Sequence, residues 1–188
     1  MKLKRSALIA GMISAAGQPA LAQALPEGII GRAQVYDARS FDLLPEPADA
    51  GRYPTVNRIR LEGVEGCEVR QKAELEGVQW PCGAVGAAWL VGLTLGKTVE
   101  CRPTRFERGG DSAYRAQCFV DSRDLAAEGI RAGMLVMATP AGEPPLPSYA
   151  ELEAEARAAR RGIWSSHFEI PFEWRRANGS YNPLAPSR

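Results

Sequence analysis

Four cysteines, Cys67, Cys82, Cys101 and Cys118, fall within a short stretch of a 188-residue chain, and the compartment decides what they can become. The chain opens MKLKRSALIAGMISAAGQPALAQA: Lys2, Lys4 and Arg5 precede an apolar run from Ala7 to Ala16, and small residues follow at Ala20, Ala22 and Ala24. That is the pattern of a secretory signal peptide spanning residues 1–22, with cleavage after residue 24 as the other option. Gly17, Gln18 and Pro19 break the apolar run well short of a bilayer span, and no second span follows. The mature chain is therefore expected to lack a transmembrane segment and to be periplasmic or secreted. There, pairing is the default state of cysteine, and four cysteines admit three connectivities. A thiolate zinc site wants a CxxC-type pair, whereas the closest two cysteines here have fourteen residues between them; all four are expected in disulfides.

Loss of the signal leaves 20 basic residues against 22 acidic ones, a net charge of −2. This excludes a diffuse basic field for holding polyanions, so any nucleic-acid contact has to be local. A mature chain of about 165 residues is one domain, large enough to enclose a single core. GIIGRAQVYD (28–37) and SFDLL (40–44) read as two arms of a bent strand pair, and NRIRLEG (57–63) alternates like a third strand. Between them PEPADAGRYP (45–54) is a Pro/Gly-rich hairpin tip. CGAVGAAWLVGLTLG (82–96) is apolar on nearly every side and predicts a mostly buried helix ending on glycine. KTVECRPTRF (97–106) and YRAQCFVD (114–121) are strands around ERGGDSA. Asp124 predicts the cap of a short helix that stops at Gly133, and MLVMA follows as a brief strand.

Ser148 and Glu151 predict a capping box for a last helix, with Tyr149, Leu152, Ala156, Ala159 and Ile163 at helical spacing and Gly162 as its end. Arg157, Arg160 and Arg161 near its C-terminus read either as a dipole-matched solvated face or as a nucleic-acid patch. Trp164, Phe168, Phe172 and Trp174 read as a tail laid against the body rather than a stacking platform for bases.

Three strands, a helix, two strands and further helices predict an α+β fold, mainly β: a five-stranded Greek-key barrel of the oligonucleotide-binding (OB) type with about three helices. The stretches GRAQVYDARSFDL, RIRLEGVEGCE, WPCGAVGAAWL, GKTVECRP, AQCFVDSRDLAAEGIRAG and EARAARRGIWSSHFEIPFEWRR, in that order, resemble the staphylococcal nuclease-like (thermonuclease) family. They are most similar to its exported alphaproteobacterial branch. The resemblance covers residues 28–176 as one domain and leaves 177–188 as an expected disordered tail.

The resemblance implies calcium-dependent hydrolysis of phosphodiesters in DNA and RNA. That chemistry needs aspartates for the cation, a glutamate as general base and two arginines to clamp the phosphate. The family's Asp-Gly-Asp-Thr is matched here by Asp37-Ala38-Arg39-Ser40, so Arg39 stands where a metal-binding aspartate is expected. In Arg60-Leu61-Glu62-Gly63-Val64-Glu65-Gly66-Cys67-Glu68, Arg60 and Glu68 fall on the clamp arginine and the base, and are the catalytic candidates. Glu65 falls on the other ligand aspartate, and Cys67 replaces a proline. The second clamp position falls on Ala113; Arg115, two residues on and on the same strand face, is the weaker substitute.

Calcium, the family's cofactor, is therefore not expected to bind, and Arg39 is expected to bridge Glu65 and extend toward Glu68 in its place. Within a barrel of this type the strands bearing Cys101 and Cys118 are antiparallel neighbours, and Cys67 and Cys82 bracket a loop from the rim to the first helix. The implied bridges are Cys67 to Cys82 and Cys101 to Cys118. His167 has no nucleophile in context, and Gly109 and Gly110 form no phosphate loop. Two function classes remain: a silent binding or structural module whose partner is an oligonucleotide, another polyanion or an unknown protein, and a nuclease working through Arg60 and Glu68 in a rearranged site.

Overall fold

The computed structural model describes residues 24–46, 55–109, 111–138 and 147–179. The expected signal peptide, most of the 45–54 hairpin and residues 180–188 lie outside them. In chain order the elements are β1 (Ile29–Val35), β2 (Ser40–Leu44), β3 (Asn57–Leu61), β4 (Val64–Gly66), β5 (Ala73–Leu75), β6 (Val78–Trp80), α1 (Cys82–Thr94), β7 (Val99–Glu107), β8 (Ala113–Val120), β9 (Arg123–Asp124), α2 (Leu125–Arg131), β10 (Leu135–Met137), α3 (Pro147–Ala158), a 3-10 turn (Gly162–Ser165) and α4 (Pro171–Asn178).

Strands run in the order β3-β2-β1-β7-β8, with β9 at the end, and β8 returns to pair with β3. Five strands thus close into a barrel. Every neighbouring pair in it is antiparallel except the closing one, where Ile59, Arg60 and Leu61 lie parallel to Tyr114, Arg115 and Ala116. This is the predicted α+β, mainly β, architecture of OB type. Closure needs a bend, and β7 supplies one: its register with β8 shifts between Pro103 and Arg105. A proline without an N–H is tolerated at such a bulge and not in a regular central ladder.

Alternation along the strands fills the barrel. Phe41, Leu43, Ile59, Leu61, Val99, Ala116 and Val120 are buried and pack with Leu90 of α1 and Leu125 and Ile130 of α2. Each large side chain among them contributes on the order of 2 kcal/mol. Cys101 and Cys118 face each other across β7 and β8 and are bridged, and the second disulfide joins Cys67 to Cys82. Both pairings are the expected ones. Asp124 caps α2 by accepting from the N–H groups of Ala126 and Ala127, also as predicted, and the turn after α2 passes through Gly133 at φ +67°.

Other elements depart from expectation. Helix α1 is not buried all round: Gly83, Gly86, Leu90 and Thr94 form one buried stripe, while Val85, Val91 and Leu95 are exposed. Its composition is apolar on both faces, so periodicity could not separate them. Helix α3 begins at Pro147, which places Ser148 inside the helix rather than at its cap. It ends at Ala158, and Ile163 belongs to the 3-10 turn; Arg160 takes φ +49° to make the break. Helix α4 is additional, and it carries regular structure two residues past the expected boundary at 176. Among the described residues no helix is long and apolar enough to cross a membrane.

Candidate functional site

The turn between β1 and β2 sets the first piece. Ser40 O accepts from the N–H groups of Tyr36 and Asp37, and Asp37 Oδ1 accepts from Arg39 N at 2.8 Å. Ala38 at its apex is completely buried because two glycines cross it: a Cβ on Gly66 or on Gly86 would lie 2.8 Å from the Ala38 Cβ. This close approach drives Arg39 inward, leaving it 7% exposed.

The second piece is the rim after β4. Glu65 is on that strand and Glu68 on the loop that follows, and they are 7% and 5% exposed. Three restraints hold the loop. Gln71, fully buried, accepts from Glu68 N and donates its N–H to Glu68 O. The Cys67–Cys82 bridge ties it to α1, and Gly83 lets the helix backbone press directly on the Glu68 carbonyl.

Two guanidinium groups meet this carboxylate pair. Arg39 Nε lies 3.2 Å from Glu65 Oε2. Arg175, from α4, places a single nitrogen, Nη1, 2.8 Å from Glu65 Oε2 and 2.7 Å from Glu68 Oε1. Burial pulls the Arg39 pKa below its ordinary value, opposed by Glu65. Burial acts the same way on Arg175, but the hydrogen bonds and charges of Glu65 and Glu68 outweigh it and hold that guanidinium firmly protonated. Arg39 thus reaches Glu65, as the sequence predicted, but not Glu68. Arg175 takes Glu68 instead, and nothing in the local sequence pointed to it.

Arg60 and Arg115 are register partners on β3 and β8, so the two clamp candidates do stand side by side. They share one carboxylate: Glu107 Oε2 is 3.0 Å from Arg60 Nη1, and Oε1 is 2.9 Å from Arg115 Nε. Asp111 pairs with Arg60 and with Arg58. Arg58 also pairs with Asp42 at 3.1 Å and stacks over Tyr36. Glu62 and Glu107 both approach Arg105. Arg60 is therefore not among the residues that hold Glu65 or Glu68.

Burial alone raises the Glu107 pKa, but Arg115 and then Arg60 overcome it and hold the carboxyl below its ordinary value. A depressed carboxyl stabilises the fold above its unfolded pKa and loses that contribution as pH falls through the folded one. Native protein is therefore expected to lose stability below about pH 4.5, and Glu107→Gln to flatten that limb of a Tm against pH curve. Parallel curves for the two proteins would refute the assignment.

Between β4, β10 and the start of α4 lies a cavity of about 580 Å³. Glu62, Glu65, Arg105 and Arg115 form its charged wall; Val136, Met137, Ile170 and Phe172 form its apolar one. Arg157 near the end of α3, and Arg160 and Arg161 just beyond it, are elsewhere and locally engaged. Arg157 pairs with Glu153 and stacks 4.1 Å over Trp164. Arg160 donates to Ser165 O and Arg161 to Arg131 O. Trp164 and Phe168 pack together beside the second disulfide, as a tail laid on the body, whereas Phe172 is 55% exposed.

The class defined by this fold and rim is a closed five-stranded barrel with helices and an internally ion-paired carboxylate pair. No family model matches the chain, and no curated protein matches it.

Proposed function

We propose that this is an exported, staphylococcal nuclease-like barrel whose calcium and phosphodiesterase site has become an internal ion-pair cluster, and that it works as a binding or structural module. The observation that carries the reading is Arg175 Nη1 seated between Glu65 and Glu68 at 2.8 and 2.7 Å, with Arg39 on the same Glu65 oxygen. The residues present do not fit calcium. A hard divalent cation takes six or more oxygens, and the two carboxylates that face this position both serve as acceptors for guanidinium groups. A positive charge at ~4 Å in an effective dielectric near 20 costs about 4 kcal/mol, and two such charges are present. Glu68, holding a guanidinium hydrogen bond, is poorly placed to take a proton from water.

The nuclease alternative draws on one feature, the in-register pair Arg60 and Arg115. Both pair with Glu107, and Arg60 pairs with Asp111 as well, so a phosphate has to displace these carboxylates before the two can grip it. Oligonucleotide or polyanion binding through Arg60 is accordingly expected to be weak and salt-sensitive.

Calorimetry with calcium, together with a cleavage assay on single-stranded DNA and RNA, decides between the readings. Native protein is expected to give no submillimolar calcium binding and no calcium-stimulated cleavage. Arg39→Asp with Arg175→Ala is expected to gain binding, because it restores one anionic ligand and removes both cations. Calcium-stimulated cleavage by the native protein refutes the proposal.

A further inference from the structure

We infer that the Glu65 and Glu68 pair is an alkylguanidinium site, a receptor for an arginine side chain, filled in cis by Arg175 on a displaceable α4. This rests on the reading of the rim as closed to calcium. The geometry suits an organic cation with N–H donors. One Arg175 nitrogen donates to both carboxylates, whereas the Phe172 ring 5.7 Å from the guanidinium belongs to α4 itself and leaves with it. The remaining capacity of the pair is already taken on one side by Arg39, so the site accepts one further positive charge and little more.

The attachment of α4 marks it as an occupant rather than a fixed wall. The segment before it is tethered at three points: Trp80 Nε1 donates to Ser166 Oγ at 2.9 Å, His167 forms a two-bond bridge with Glu74, and Gln71 Nε2 donates to Glu169 O at 2.6 Å. Those tethers stop at Glu169. Beyond it, Pro171 is the buried residue of α4, whereas Phe172, Glu173, Arg176, Ala177 and Asn178 are exposed. An eight-residue helix has little stability of its own; buried Pro171, half-buried Trp174 and the Arg175 contact seat it, and the guanidinium is the part a ligand can replace. When that contact is outcompeted, α4 swings out on Ile170, and the 580 Å³ cavity loses Phe172 from its apolar wall.

The test uses oxidised Arg175→Ala protein titrated with methylguanidinium chloride, with tetramethylammonium chloride and calcium chloride as parallel arms. Methylguanidinium is expected to raise the variant's Tm saturably, by about 3 °C at roughly tenfold over its dissociation constant, and to leave native Tm nearly unchanged. Tetramethylammonium, which has no N–H, and calcium are expected to do neither. A flat response to all three overturns the inference and leaves the proposed function standing; a saturable calcium response overturns both. An equal response to tetramethylammonium reduces the effect to charge screening and also overturns it. If Arg175→Ala does not fold, native protein carries the test: methylguanidinium is expected to speed amide exchange across residues 172–178 severalfold over the tetramethylammonium control, with β7 and β8 unaffected. No acceleration overturns the inference.

Discussion

Arg39→Ala is expected to destabilise the protein by about 3 to 5 kcal/mol, a fall in Tm on the order of 10 °C. Both members of the Arg39 and Glu65 pair are buried, at 7% exposure each. Removing the cation leaves a largely desolvated carboxylate, and the penalty is the cost of stranding a charge rather than the net worth of the pair. Arg175 moderates it by keeping one hydrogen bond to the same Glu65 oxygen. The outward-facing pairs set the contrast: Lys97 with Asp121, both well exposed, is expected to be worth less than 1 kcal/mol. Denaturant titration of Arg39→Ala and Lys97→Ala separates them, and a loss under 1 kcal/mol for Arg39→Ala contradicts the burial argument.

Gly83→Ala and Gly92→Ala, nine residues apart on α1, are expected to have opposite signs. A Cβ on Gly83 would stand 1.8 Å from Glu68 O, 2.5 Å from Glu68 C and 2.8 Å from Val69 Cα, all backbone atoms. The helix cannot slide away, because Cys82 beside it is bridged to Cys67. The clash is expected to cost about 3 kcal/mol or more. A Cβ on Gly92 meets nothing within 4 Å, so alanine there gains helix propensity and stabilises by up to about 1 kcal/mol. Equal and small effects at the two positions would mean that α1 does not press on the rim.

The barrel was legible because its strands alternate. β7 buries Val99 and Cys101 and exposes Glu100 and Arg102, a period of two that sequence alone displays. β4 was not legible, since Val64, Glu65 and Gly66 are all buried and give no alternation. The β5 and β6 hairpin was missed as well, although Glu76 and Gly77, both at positive φ, are the central pair of a two-residue turn and were its available signal. For α4 the signals were Pro171 at the first helical turn and Gly179 at the C-cap, overshadowed by a stretch that read as tail. Within the site, Arg39, Arg60, Glu65 and Glu68 lie in short motifs that local comparison exposes. Arg175 meets Glu65 and Glu68 from 110 and 107 residues away, and Glu107 meets Arg60 from 47. Such partners are fixed by tertiary closure, which no local pattern encodes.

The parallel seam between β3 and β8 has a consequence for how the chain assembles. The β1 with β2 and β7 with β8 hairpins are local and close at little entropic cost, whereas the seam joins Ile59 to Tyr114 and must wait for the intervening chain to collapse. Arg175 is more distant still from Glu65 and Glu68, so its seating closes the longest of these loops. A polypeptide cut before α4 contains every strand yet lacks that cation, and its rim after β4 is left holding two carboxylates against one guanidinium. Trimming at the C-terminal end is thereby expected to be felt at the rim after β4, 107 to 110 residues away, as buried carboxylates short of one guanidinium.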